Sequence, residues 1–176
     1  MKTIYLLIGA KGSGKSFIGK VFEQEFDIPF LRVEDIAKEL RNDREITNKL
    51  YHVEIFAAIE NGVRNFINKF PAIVFESTGL TEQFDLMFAN LEKDYNVVTI
   101  GIKAEAGLCL KRVKARDQSI HINVSDDEIN MINSEVSNKH HNYNYIIDNN
   151  KSSYEQLKNE IGIVISKTNK LKEENE

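Results

Sequence analysis

Cysteine is nearly missing from this chain: Cys109 is the one thiol among 176 residues. A single thiol excludes an intramolecular disulfide framework and a cysteine-rich zinc module, and it fits a reducing compartment. Long apolar runs are missing too; none approaches the roughly 18 residues of a membrane-spanning helix. An excess of positive charge is also lacking. The net charge is −4 and the pI is near 5.7, which argues against a broad electrostatic nucleic-acid surface and leaves only a local basic groove open. What is present is ordinary for a globular protein. Hydrophobic residues make up 41% and charged residues 28%, so collagen-like, largely disordered and low-complexity chains are excluded. The length matches one domain, at roughly 150 residues per domain.

Ile4–Ile8 is a continuous apolar run behind Met1-Lys2-Thr3. It is too short for a signal-peptide core, and no small-residue cleavage site follows it. Thr3–Ile8 therefore reads as a strand covered on both faces, and the protein as cytoplasmic. A helix from near Gly14 carries Ile18, Val21 and Phe22 inward. Phe30–Val33, Ala72–Phe75, Val97–Ile102 and Tyr145–Ile147 are the further strand candidates. The longest helical pattern runs from Thr47 to Phe70, with apolar residues recurring at three and four. Thr81 caps a helix with Phe84, Met87 and Leu91 on one face. Another helix runs from about Glu105 to Asp117, followed by a loop over Gln118–Val124. Two capping boxes are legible, Ser125 with Glu128 and Ser152 with Glu155. From Lys167 a charged tail is expected to fray. Five strands alternating with helices imply an α/β fold, a three-layer α/β/α sandwich on a five-stranded parallel sheet. Ligands bind such sheets at the carboxyl ends of the strands.

One motif falls at the first such end. Gly9-Ala10-Lys11-Gly12-Ser13-Gly14-Lys15-Ser16 matches G-x-x-x-x-G-K-[ST] between a strand and a helix. Glycines let the backbone curl so that its amides form a nest for phosphate oxygens. The helix that starts there adds its positive end to the same anion. Lys15 then reaches the β- and γ-phosphates, and the Ser16 hydroxyl ligates Mg²⁺. Binding of a nucleoside triphosphate is the expectation. A GTPase would add N-K-x-D, but Asn48-Lys49 continues as Leu50-Tyr51 and Asn169-Lys170 as Leu171-Lys172. A transporter-type ATPase would be longer and carry a Gly-Gly-Gln signature, which is absent.

From Thr3 to about Ser166 the chain resembles the small P-loop kinases, the group of adenylate, shikimate and gluconate kinases with zeta-toxin-like and polynucleotide-kinase-like relatives. The phosphate loop carries the resemblance specifically, and the other matches are positional. The resemblance implies a P-loop NTPase-type sheet in one kinase domain over residues 1–168. Substrate-side helices lie at about 35–70, a lid region at about 117–138, and the charged tail at 169–176. It implies an acidic residue facing the acceptor after the second strand. Asp35 is favoured for that role and Glu34 is the alternative. It implies a Mg²⁺-holding carboxylate after the third strand, here Glu76, with Ser77 and Thr78 near the acceptor. Arg112 and Arg116, four apart and so on one helix face, correspond to arginines that close on the phosphates. Asp148-Asn149 falls where the group approaches adenine. The chain lacks the Gly-Gly-Gly run of shikimate kinases and the Gly-Phe-Pro-Arg stretch of adenylate kinases.

An anionic acceptor would call on cations between residues 35 and 70, where Arg41, Arg44, His52 and Arg64 lie. His121, His140 and His141 lack acidic or cysteine partners at ligand spacing and read as surface loop residues. The expected function is Mg²⁺-dependent transfer of the ATP γ-phosphoryl group to a small molecule or a nucleotide. Two alternatives stay open: a kinase of polynucleotide ends, and a nucleotide-binding regulatory or toxin-like module with little turnover. No membrane partner is expected, and the oligomeric state is not legible.

Overall fold

The computed structural model describes residues 1–41, 49–116 and 125–174. The element order is β1 (Thr3–Gly9), α1 (Lys15–Phe26), β2 (Phe30–Leu31), α2 (Val33–Arg41), α3 (Lys49–Ile67), β3 (Ala72–Ser77), α4 (Glu82–Asp94), β4 (Asn96–Lys103), α5 (Ala106–Ala115), α6 (Asp126–Asn138), β5 (Tyr145–Asp148) and α7 (Tyr154–Glu173). The sheet order is β2-β3-β1-β4-β5 and every pairing is parallel. β1 is central and all seven of its residues are buried, which explains its unbroken apolar run.

Strand periodicity divides the core in two. Tyr5 and Leu7 of β1 face one way, into a cluster with Phe22 of α1 and Ile161 of α7. Ile4, Leu6 and Ile8 face the other way, into a cluster with Val63 of α3 and Phe84 and Leu91 of α4. Helices thus cover both faces, the three-layer sandwich expected from the alternation of elements.

Local signals held with small shifts. Thr81 accepts from the Phe84 amide at 3.2 Å as the α4 cap, and the Ser125–Glu128 capping box is complete. The last box is displaced by one residue: Ser153 and Gln156 form it, not Ser152 and Glu155. Ser152 is used elsewhere, its hydroxyl donating to the Asp148 carbonyl at 2.6 Å. α7 continues through the segment expected to fray, because Thr168 is buried and donates to the Val164 carbonyl at 2.8 Å. Burial pushes the Tyr5 phenol up to about 12, partly opposed by its contact with the Thr168 hydroxyl. The loop read over Gln118–Val124 lies outside the described residues.

Candidate active site

The turn from β1 into α1 is shaped by backbone that side chains resist. Gly12 and Gly14 have φ of 84° and 99°. A Cβ on Gly12 would collide with the Cys109 carbonyl, and one on Gly14 with the Asn149 amide. Gly14 is the N-cap of α1 and supplies no side-chain cap, so the Lys15, Ser16 and Phe17 amides open the helix without intrahelical acceptors. The Lys15 ammonium is buried inside the loop, donating to the Gly9 and Ala10 carbonyls at 2.9 Å each. Burial pushes it below the ordinary lysine value; the Glu76 carboxylate opposes that, while Lys11 and Arg116 add to it.

Side chains from distant parts of the sequence hold the loop from behind. Asn133 of α6 clasps Lys11, accepting from its amide at 2.8 Å and donating to its carbonyl at 3.0 Å. Asn149, just after β5, donates to the Ser13 carbonyl at 2.8 Å. Arg112 of α5 donates to the Asn149 carbonyl at 2.9 Å and to the Ser13 carbonyl at 3.4 Å. Asn133 escaped the sequence reading. Its signal was a polar residue at an otherwise apolar position of α6, between Ile129 and Val136.

Next to the loop, the Ser16 hydroxyl meets the Glu76 carboxylate at 2.8 and 3.0 Å. The parallel register brings Glu76 level with Leu7 near the end of β1. Among the described residues no three His, Cys, Asp or Glu side chains form a metal cluster. A cation here would rest on oxygens of Ser16 and Glu76 together with those of its ligand, a donor set suited to Mg²⁺.

A cleft of about 1050 Å³ runs from the loop to α2, α3 and the start of α4. Lys11, Lys15, Ser16, Glu34, Glu76, Ser77, Thr78, Arg112 and Arg116 line it. Ser77 also accepts from the Gly79 amide at 3.1 Å. Asp35 is not on the wall. Its side chain is 56% exposed and lies 3.8 Å from Arg32. Both acids sit in the first turn of α2, where consecutive residues point about 100° apart, so one turns inward and the other out. Arg116 does not share a helical face with Arg112. α5 ends at Ala115, and Arg116 is its extended C-cap. The Arg116 Nε is buried with no hydrogen-bond partner among the described residues.

Of the cations considered for an anionic acceptor, His52 is on the cleft wall. Arg64 is held elsewhere, by Glu60 at 3.0 Å and Asp94 at 2.7 Å. Arg41 closes α2, and Arg44 and His121 lie outside the described residues. His141 is not a surface loop residue. It is half-buried, packs on Phe84 and Tyr143, and lies against Gly79.

No protein-family model matches the chain, and no curated protein matches it in sequence. Solved structures do match. A gluconokinase from Sinorhizobium meliloti 1021 superimposes with a TM-score of 0.69 at 12% identity, over 99% of this chain and 98% of that one. A shikimate kinase from Acinetobacter baumannii, solved with shikimate, gives 0.63 at 15% identity, over 96% and 94%. An APS kinase from Mycobacterium tuberculosis, solved with AMPPNP and APS, gives 0.62 at 14% identity, over 93% and 96%. The chain has the fold of the small P-loop kinases. The likeness first read from eight residues thus extends over the whole α/β architecture.

Proposed function

We propose that this protein is a Mg²⁺-dependent phosphotransferase that moves the γ-phosphoryl group of ATP to a hydroxyl-bearing small molecule or nucleotide. The observation that carries this reading is one juxtaposition. A glycine-shaped loop with a buried lysine abuts a Ser16–Glu76 oxygen pair at the head of a large cleft. The kinase fold of the neighbours supports it.

In this reading the loop amides and Lys15 hold the β- and γ-phosphates. Ser16 and Glu76 hold Mg²⁺, which when bound offsets charge developing on the phosphates. Of the two acids in α2, Glu34 is assigned to the acceptor because it lines the cleft and Asp35 does not. Its carboxylate takes the proton as the acceptor oxygen bonds to the γ-phosphorus and the bond to the leaving ADP oxygen breaks. Arg116, whose buried Nε has no hydrogen-bond partner among the described residues, is suited to the transferring group. Arg112, committed to the Ser13 and Asn149 carbonyls, positions the loop. Ser77 and Thr78 edge the acceptor, and Arg41 and Arg44 remain candidates for it. A cytoplasmic location accompanies the reading, in keeping with the buried free thiol of Cys109; no described helix is long and apolar enough to cross a membrane.

The test is calorimetry with Mg·ATP, followed by an acceptor panel with coupled ADP detection. Binding followed by acceptor-stimulated ADP release that Lys15→Ala removes is the expected result. Turnover confined to oligonucleotides would favour the polynucleotide-end alternative. Tight binding with no turnover would favour the regulatory one.

A further inference from the structure

The phosphate loop stands at the end of the central strand, so the cleft has a flank on each face of the sheet. One flank lies over α2, α3 and α4, where Glu34 is. The other lies over α1 and α7 and is lined by Gly14, Phe17, Arg112, Asn149, Ser152 and Leu157. Among the described residues of that second flank, Phe17 is the one aromatic ring. It follows Ser16 directly, and its amide is one of those that open α1. Its ring is 48% exposed, and apolar surface left in water on a cleft wall gains by being covered. The ring is also braced. Tyr154, the first residue of α7, meets it in a T-shaped contact with centroids 6.2 Å apart and planes at 68°. The Tyr154 hydroxyl donates to Glu25 at 2.7 Å, and Glu25 is in turn paired with Lys158. A single T-shaped neighbour takes at most one face of Phe17 and leaves the other for a flat ligand.

We propose that Phe17 is the platform on which the nucleobase of the bound triphosphate stacks. A triphosphate whose γ end faces Glu76 and the α2 flank sends its nucleoside the opposite way, toward α1 and α7. Phe17 then serves the ligand twice, its amide meeting phosphate oxygen and its ring meeting the base. Stacking of this kind tolerates any flat base, so the ring adds affinity for the nucleoside without choosing among bases. The inference rests on the phosphotransferase reading for the triphosphate in the loop, and on the exposed, braced ring for the base.

Two probes separate base from phosphate: Mg·ATP, and Mg·tripolyphosphate, which carries the phosphates without the nucleoside. In calorimetry the wild-type protein should bind Mg·ATP the more tightly. Phe17→Ala should weaken Mg·ATP about tenfold and leave Mg·tripolyphosphate unchanged, whereas Phe17→Tyr should bind both as the wild type does. Phe17→Trp is the second variant, in case the alanine variant does not fold, with circular dichroism as the check on each. The chain has no tryptophan of its own, so the emission of that variant reports on this position alone, and Mg·ATP should quench it where Mg·tripolyphosphate does not. Equal weakening of both ligands by Phe17→Ala would make the side chain a support of the loop, and no weakening of either would take it out of the site. Each of these results overturns the inference, as does a tryptophan signal that answers both ligands alike. Mg·ATP binding by the wild type in those cases leaves the phosphotransferase reading standing. A wild-type protein that binds neither ligand ends both.

Discussion

At the phosphate-loop end of the cleft, Lys11, Ser13 and Lys15 are fixed by directed hydrogen bonds, many from side chains more than ninety residues away in sequence. At the other end, Tyr51, Ile55, Ile59 and Met87 form a wall set by packing. A hydrogen bond fixes an atom to within a few tenths of an ångström. Apolar packing fixes a volume and tolerates changes of shape within it. The first kind of order suits a group whose charge must be met at defined points, the second a molecule recognised by bulk. Substitutions at the two ends should therefore fail differently.

The largest effect is expected from Lys15→Ala. It removes the one buried cation of the loop, and phosphoryl transfer should fall by at least about a hundredfold, measured as ADP release with a productive acceptor. Retained turnover would break the assignment of the loop as the reacting end. Glu34→Gln comes next. Loss of a proton acceptor costs about 10² or more in kcat, while the Mg·ATP Kd should stay near the wild-type value because Glu34 touches the other half. Asp35→Asn is its control and should be nearly silent. If Asp35→Asn proves to be the damaging change, the inward and outward assignments in α2 are reversed.

Asn133→Ala tests the clasp rather than the chemistry. It leaves the Lys11 amide and carbonyl without their partner, a loss of about 1–3 kcal/mol for buried groups. Urea unfolding should show that loss, and Mg·ATP should bind several-fold more weakly. Rescue by Asn133→Gln is not expected, since the longer side chain cannot meet both Lys11 groups in the same geometry. Unchanged nucleotide affinity would show that the loop keeps its curl without α6.

These contrasts also explain what could be read in advance. The sheet was legible because β1 is buried on both faces and its residues say so locally. The loop was legible because glycine, lysine and serine are needed at fixed spacing within eight residues. The register of the last capping box was not: Ser152 and Ser153 are equivalent in sequence, and the choice turns on a bond from Ser152 to Asp148. Glu34 against Asp35 was open for a similar reason, since one step along a helix swings a side chain from wall to solvent. The apolar wall was hidden more deeply. Ile55 and Ile59 in α3, like Met87 with Phe84 and Leu91 in α4, recur at helical spacing whether they face the core or a cleft, and periodicity does not separate the two. Arg64 looked available and is not, because Glu60 and Asp94 converge on it only after α3 and α4 pack.

The smallest expected effect lies where the two ends join. His141 packs beneath the turn that carries the chain from Glu76 into α4, against Gly79, Phe84 and Tyr143. Its Nε2 is buried against Gly79. Burial holds its pKa below the ordinary histidine value; Lys139 adds to that, while Asp85 and the Gly79 backbone oppose it. The unfolded chain takes up a proton at this ring near pH 6.5 and the folded chain only at lower pH. Its contribution to stability is therefore full above about 6.5 and is lost as pH falls from there toward the folded-state pKa. Urea midpoints compared between about pH 7.5 and 5.5 should drop further in the wild type than in His141→Gln, whose side chain does not titrate. Parallel drops would mean that the ring takes up its proton as readily folded as unfolded, so that the joint between the two ends is open to water and not packed.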